Sequence, residues 1–186
     1  MTLLFALACG PSVATLDAEP TDTGGGVEDS EPDNGGGGEH LLDVAINEFM
    51  AENNQSYVTD DGLSPDWIEL YNKTEFDIEL EGYLLRDDFQ GEPSVISGPL
   101  TLPAGGFVLL FADGGEGGSG PQHLDFKLSS DGEQLGLYTP EDKPLDLVQF
   151  GGQIRDTSLA RGEDGVDDTW EYVPLGTPGE SNEVED

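Results

Sequence analysis

The sequence predicts an all-β fold, either an antiparallel sandwich or a barrel, for residues 41–182. Eight short runs of apolar or alternating residues lie in this region, and none has the length or the periodicity of an amphipathic helix. Turn sequences separate the runs, among them "DDGLSP", "LPAGG" and "SSDGE". Short runs between such turns are typical of antiparallel strands, whereas the choice between sandwich and barrel stays open at this point.

The predicted strands follow one another at short intervals. In chain order they are "LLDVAINEF" (41–49), "DWIELYN" (66–72), "IELEGYLLRD" (78–87), "FVLLFAD" (107–113), "LDFKLS" (124–129), "QLGLYT" (134–139), "LDLVQFG" (145–151) and "TWEYV" (169–173). Alternation along 66–72 places Ile68 and Leu70 in the core and Glu69 on the solvent side. In 107–113 both faces are apolar, which predicts a strand covered on both sides.

The chain is strongly acidic. Its 186 residues include 40 Asp and Glu against six Lys and Arg, which gives a formal net charge of −34. Binding to nucleic acid depends on basic side chains that displace counterions from phosphates, and these six cations lie on separate segments. The composition therefore predicts no nucleic-acid partner, and it indicates either a merely solvated acidic surface or one that binds cations.

The one cysteine of the chain is near its N-terminus, behind the apolar residues 3–8. "ALAC" (6–9) resembles the lipobox of bacterial lipoproteins, in which small residues precede a lipidated cysteine. The resemblance implies that residues 1–8 are a signal peptide and that Cys9 carries the lipid. The apolar tract is shorter than the usual ~7–15 residues and has no leading Lys or Arg. The alternative is a frayed apolar N-terminus with an incidental thiol.

Residues 9–40 are predicted to be a disordered, acidic, Gly-rich linker. Between 10 and 40 the chain has eight acidic residues, no Lys or Arg, and the runs "TGGG" and "NGGGG". Such a segment cannot bury enough apolar surface to offset the entropy of ordering it. We expect it to tether the domain at 41–182 to a membrane-bound lipid outside the cytoplasm. A short acidic tail at 183–186 completes the predicted organisation.

Six segments of the domain carry a family resemblance. They read "INEFMAENN", "DWIELYN", "DIELEGYLLRDD", "LPAGGFVLLFADG", "HLDFKLSSDGEQLGLYTP" and "TPGESN". In this order they resemble the lamin tail domain, and more narrowly its bacterial form, over most of 43–182. The resemblance implies an immunoglobulin-like β-sandwich without an active site of its own. Bacterial modules of this kind are often attached to secreted hydrolases or stand on surface proteins.

Few motifs in the sequence point to catalysis. "GEGGSG" (115–120) matches G-x-G-x-x-G, but a dinucleotide site needs a helix to follow, so these glycines are interpreted as a flexible hairpin loop. Of the two histidines, His40 belongs to the linker and His123 is interpreted as an exposed residue at a strand edge. We therefore expect no enzyme and no organic cofactor.

Calcium is the inorganic ligand that the acidic loops suggest. This ion takes about six to eight oxygen ligands from carboxylates and carbonyls, and "VTDDGLSPDW" offers Asp60, Asp61 and Asp66 in one loop. Asp and Gly also occur in turns simply because their geometry suits turns. A calcium site in this loop is thus a hypothesis that stands beside that plainer explanation.

The favoured functional interpretation is a non-catalytic, lipid-anchored sandwich that binds proteins, mediates adhesion or acts as a spacer in the cell envelope. Two alternatives stay open. The first is a calcium-dependent ligand-binding or adhesion module. The second is an accessory partner, in trans, of a secreted hydrolase.

Overall fold

The computed structural model describes residues 13–15, 44–166 and 169–183. Within these ranges the regular secondary structure consists of β-strands alone, so the predicted all-β class is confirmed. The strands are β1 (Val13–Thr15), β2 (Val44–Met50), β3 (Asp66–Asn72), β4 (Ile78–Glu79), β5 (Leu84–Arg86), β6 (Ser94–Val95), β7 (Thr101–Leu102), β8 (Phe107–Ala112), β9 (Glu133–Tyr138), β10 (Pro144–Phe150), β11 (Thr157–Arg161) and β12 (Trp170–Pro174).

The strands form a sandwich of two five-stranded sheets, in which every strand pairing is antiparallel. Sheet A has the order β1-β10-β9-β5-β6 and sheet B has the order β12-β11-β2-β3-β8, while β4 pairs with β7 separately. One apolar cluster joins the two sheets. Its fully buried members include Ile46, Phe49, Ile68 and Leu110 from sheet B and Leu85, Leu137 and Val148 from sheet A.

The inward face of β3 is as predicted. Ile68 and Leu70 are fully buried in the cluster between the sheets. Strand β8 is covered on both sides, because Leu110 joins that cluster while Phe111 packs with Met50 and Trp67 in a second one. The outer face of sheet B is therefore also covered, which gives this sheet a second layer of buried side chains.

The prediction that Glu69 faces solvent is wrong. Glu69 does point away from Ile68, but its side chain is fully buried as well. The C-terminal segment 176–182 lies over this face of β3, and the N–H of Gly179 donates a hydrogen bond to the Glu69 carboxylate. Alternation thus gave the correct face, and a distant segment determined what covers it.

Residues 13–15 depart from the expectation for the linker at 9–40. They form β1, which lies antiparallel to β10 with Val13 opposite Phe150 and Thr15 opposite Val148. An edge strand joins a sheet through backbone hydrogen bonds, so an acidic, Gly-rich segment can contribute one without an apolar face of its own. The other residues of the predicted linker lie outside the described ranges.

Candidate functional site

The predicted calcium ligands do not converge in the structure. Asp60 and Asp61 line a depression of about 430 Å³, whereas Asp66 lines a different one of about 340 Å³. Asp66 accepts a hydrogen bond from the backbone N–H of Asn53 at 3.0 Å. In the part of the chain that the structure describes, no three His, Cys, Asp or Glu side chains are grouped so that they could hold a metal ion. The calcium hypothesis stays a prediction, and Cys9 lies outside the described residues.

The calcium hypothesis has a direct thermal test. If the 60–66 loop binds calcium only in the folded state, CaCl2 should raise the unfolding midpoint. The rise should exceed that in NaCl at matched ionic strength, because screening alone also relieves repulsion among the acids. The double variant Asp60→Asn/Asp66→Asn should lose the excess. Equal responses to the two salts would contradict a calcium site.

The prediction that His123 is an exposed edge residue is wrong. Its Nδ1 lies 2.5 Å from Oδ2 of Asp113, and the two side chains are only 20% and 6% exposed. The imidazole also packs against the Phe111 ring, with 5.4 Å between ring centroids. His123 is therefore held in one orientation by a buried carboxylate, beside the depression that Asp60 and Asp61 line.

The loop "GEGGSG" closes over this Asp113–His123 pair. A Cβ on Gly117 would come within 2.4 Å of Oδ2 of Asp113, and one on Gly118 within 2.7 Å of Nε2 of His123. The loop is also fixed by the N–H of Gly115, which donates to the carbonyl of Leu124 at 3.0 Å and to Asp113 Oδ1 at 2.8 Å. Because glycine has no Cβ, these residues allow the loop to pack closely against the Asp113 carboxylate and the His123 imidazole.

A second polar cluster lies on the outer face of sheet B, where β2 carries a bulge. The register between β2 and β3 shifts between Ile46 and Glu48, and bulges re-aim side chains in this way. Asn47 and Glu48 are both fully buried as a result. The bulge therefore places two adjacent polar side chains where they are buried beneath the C-terminal segment that covers this face of sheet B.

The Glu48 carboxylate holds the C-terminal segment onto the sheet. It accepts hydrogen bonds from the Ser158 hydroxyl at 2.5 Å and from the backbone N–H of Thr177 at 3.0 and 3.1 Å. The Thr177 hydroxyl donates to the same carboxylate at 3.1 Å. One buried carboxylate thus joins β2, β11 and the segment after β12.

Glu69 and Asn47 extend the same network. Asn47 Nδ2 donates to Glu69 Oε1 and to Asp164 Oδ1, each at 3.0 Å. The other oxygen of Glu69 accepts from the N–H of Gly179 at 2.6 Å, and Asp164 accepts from the N–H of Asn182 at 3.0 Å. Residues 47, 48, 69, 158, 164, 177, 179 and 182 form what we call the C-terminal clasp.

Burial changes the acidity of the clasp carboxyls. Burial raises the pKa of Glu69 from 4.5 to about 8, against the lowering effect of hydrogen bonds from Asn47 and Gly179, while the negative charges of Glu48 and Asp164 add to the rise. Burial likewise raises the pKa of Glu48, and the hydrogen bonds from Ser158 and Thr177 offset part of that rise. The clasp therefore favours the protonated form of Glu69 at neutral pH.

The raised pKa of Glu69 predicts that stability depends on pH. Between about 4.5 and about 8, the folded protein keeps a proton on Glu69 that the unfolded chain has lost. The free energy of unfolding should therefore fall as pH rises through this window, by up to about 1.4 kcal/mol per pH unit for this one group. Urea titrations at several pH values measure the slope.

The matched variants for this test are Glu69→Gln and Glu81→Gln. Gln does not titrate, so Glu69→Gln should reduce the slope by the contribution of this one group, whereas Glu81 is exposed and its replacement should leave the slope unchanged. The titrations need added salt, because protonating any of the many acids relieves general repulsion. An unchanged slope in Glu69→Gln would show that Glu69 ionises with its ordinary pKa.

The cations of the domain are largely engaged by carboxylates. Among the described residues, ion pairs join Arg86 to Asp142 at 2.6 Å, Lys127 to Glu116 at 2.6 Å, Arg155 to Glu52 at 2.9 Å and Arg161 to Asp146 at 2.8 Å. Arg161 is also almost fully buried. Positive charge on this domain is thus dispersed and locally neutralised.

The fold and the clasp together define a class of protein. The chain is an antiparallel β-sandwich whose last segment is fastened across one sheet by buried carboxylates. The family model of the Lamin Tail Domain matches residues 40–152, more than half of the chain. The chain belongs to this family, whose fold is immunoglobulin-like. A comparison with curated proteins finds no match.

Sequence reasoning missed the residues that make the clasp. Glu48 and Thr177 are 129 residues apart, and Glu69 and Gly179 are 110 apart. The available signal was the presence of "INEF" and "TPGESN" among the segments that resemble the family. These two segments meet in the structure, where Thr177 donates to Glu48.

Proposed function

We propose that this chain is a non-catalytic interaction module held at the outside of a membrane by a lipid on Cys9. The observation that carries the proposal is the order of segments along the chain. "ALAC" comes first, an acidic, Gly-rich stretch follows, and a lamin tail sandwich completes the order. A lipidation sequence, a spacer and a binding domain are the three parts that a surface-displayed module needs.

The use of the buried ionisable groups supports a non-catalytic role. Glu48 and Glu69 accept hydrogen bonds from the backbone of the C-terminal segment. The Asp113 carboxylate pairs with the imidazole of His123 and accepts a hydrogen bond from the N–H of Gly115. Each of these carboxyl groups fastens a loop or segment to the sandwich through hydrogen bonds, which is a structural role. A module of this kind acts through its surface.

The charge of the chain narrows the kind of partner. A formal charge of −34 repels polyanions, and at least four cations of the described residues are already paired with acids. The proposed partner is therefore a protein or another component of the cell envelope, and nucleic acid is not expected to bind. No helix in the described ranges is long and apolar enough to cross a membrane.

The anchor is tested by replacing its one thiol. Expressed in a bacterial host, the chain should partition into detergent, and its intact mass should show cleavage before Cys9 and added acyl groups. Cys9→Ser should move the protein to the aqueous phase, whereas Ser12→Ala, a similar change three residues away, should leave it in detergent. A chain that keeps residues 1–8 and a free thiol would contradict the lipid anchor.

A further inference from the structure

The edge of sheet A at β10 has an unusual occupant. The three residues of β1 pair with it, in the register Val13–Phe150, Ala14–Gln149 and Thr15–Val148. Between β1 and β2 lie 28 residues (16–43). A chain of that length can reach up to roughly 90 Å when extended, so the connection does not force residues 13–15 onto this edge. Their position therefore indicates that residues 13–15 are held at the edge of β10 by their own pairing with it.

The edge of β10 is longer than its occupant. Strand β10 has seven residues, and β1 pairs with only the last three of them. The outer edge of a terminal strand presents unpaired N–H and C=O groups, which is a template for another extended chain. Among the described residues no strand pairs with the outer edge of 145–147. Leu145 and Asp146 are themselves buried, and the Asp146 side chain accepts a hydrogen bond from the N–H of Ile46, so a longer partner strand would extend along this stretch by main-chain pairing alone.

The other edges of the sandwich are less suited to pairing. The edge strand β6 has two residues. At the edge of β8, Phe111 exchanges backbone hydrogen bonds with Gln122 and Leu124, so the C-terminal part of that edge is covered. The edge strand β12 exposes the charged Glu171, and charges of this kind disfavour strand pairing. With seven residues, β10 is also longer than β6, β8 and β12.

We propose that the outer edge of β10 is a strand-acceptor site, which residues 13–15 occupy in the free protein and an extended segment of a partner protein occupies in a complex. This mode of recognition takes its affinity from main-chain hydrogen bonds. A partner strand that pairs with all of 145–150 makes more of these bonds than the three-residue β1, so it displaces β1. The inference rests on the proposal that the sandwich is an interaction module, but it does not depend on the lipid at Cys9.

Charge selects among extended segments. The resident segment is followed by Asp17 and Glu19, in a chain whose formal charge is −34. A partner segment that carries Lys or Arg beside its strand meets an attractive field in place of a repulsive one. The expected partner is thus an extended segment with small and β-branched residues, flanked by basic ones.

The test compares the full-length Cys9→Ser chain with the same chain carrying Ala14→Pro/Thr15→Pro. Prolines at 14 and 15 remove two of the three N–H groups of β1, so at least one N–H that faces β10 is lost whichever residues face it. Hydrogen exchange at residues 148–150 should become faster in the double-proline chain. The control Gly35→Pro/Gly36→Pro, which places the same residues elsewhere in the linker, should leave exchange unchanged. Unchanged exchange in the double-proline chain would overturn the assignment of β1 as the occupant.

A labelled peptide of residues 10–18 (GPSVATLDA) then probes the vacated edge. It should bind the double-proline chain at least about tenfold more tightly than the unsubstituted chain, because a tethered competitor acts at a high effective concentration. The same peptide with Lys at the place of Asp17 should bind more tightly still, by a factor that shrinks in salt. Equal affinity of the two peptides would overturn the preference for basic segments.

Two further results would overturn the proposal. If the peptide fails to bind the double-proline chain, the edge of β10 is not an acceptor, whatever the outcome of the detergent experiment on Cys9. If light scattering shows that the unsubstituted chain is a dimer and the double-proline chain a monomer, the occupant is a second copy of this chain. Binding to the double-proline chain, with protection of 145–150 by the peptide, would support the acceptor site.

Discussion

Replacing Ile68 by Ala should lower the free energy of unfolding by about 2–5 kcal/mol. Ile68 is fully buried, lies opposite Phe49 on β2 and Leu110 on β8, and belongs to the cluster that joins the two sheets. Removing its outer carbons loses their transfer free energy and leaves a cavity between strands that cannot collapse fully. Urea denaturation monitored by tryptophan fluorescence measures the loss.

The matched control makes the same chemical change on the surface. Ile154 is 52% exposed, so Ile154→Ala should change stability by no more than about 0.5 kcal/mol. A comparable loss at the two positions would mean that the apolar residues of β3 do not form the core. Because the side chain removed is identical, the difference between the variants isolates the effect of burial.

Replacing Glu48 by Ala should lower the free energy of unfolding by about 2–4 kcal/mol, since it leaves at least one buried donor unsatisfied and opens a cavity. The N–H of Thr177 loses both carboxylate oxygens that it contacts. The Ser158 hydroxyl keeps only its longer hydrogen bond, 3.2 Å to the carbonyl of Val173. The C-terminal segment should also loosen, which faster hydrogen exchange at residues 176–182 would report.

Controls separate the clasp from the general effect of removing an acid. Glu81→Ala removes an exposed carboxylate and should change stability by about 0.5 kcal/mol or less. Ser158→Ala combined with Glu48→Ala should cost less than the sum of the single changes, because the two side chains share a hydrogen bond. Strict additivity, or a loss at Glu48 no larger than at Glu81, would contradict the clasp.

The consequence for function is that the sandwich has one firmly closed face and one exchangeable edge. The outer face of sheet B is closed by the clasp, whose donors and acceptors come from widely separated segments. The edge of sheet A is occupied by three residues from beyond the domain. Partners are therefore expected at the edge of sheet A, where pairing can change without breaking the core.

Local patterns in the sequence predicted most of the strands correctly. The run 66–72 is β3 in the structure, and 107–113 differs from β8 by one residue. Burial also alternates along 124–128, since Leu124 and Leu128 are buried and Lys127 is exposed. Yet this segment is no regular strand and makes only isolated bridges, such as Asp113 to Lys127. A pattern of side chains indicates faces, but it does not ensure a partner strand.

Strand β11 shows the opposite error. The segment "TSLAR" has too few apolar residues to be recognised, although all five of its residues are buried. Its polar groups are satisfied by distant partners: Ser158 donates to Glu48, and Arg161 pairs with Asp146. In the sequence these residues resemble a loop, because burial of a polar side chain depends on a partner that the local pattern does not contain.

The sequence by itself determined the all-β class, the positions of the apolar strands and the charge that argues against nucleic acid. These follow from alternation, turn residues and composition, which act between neighbours along the chain or over the chain as a whole. Only the tertiary structure decided that Glu48 and Glu69 are buried, that His123 is held by the buried Asp113, and that residues 13–15 join β10. Each of these outcomes requires a hydrogen-bond partner from a distant segment, and the free energy of burying a polar group has no defined sign until that partner is in place.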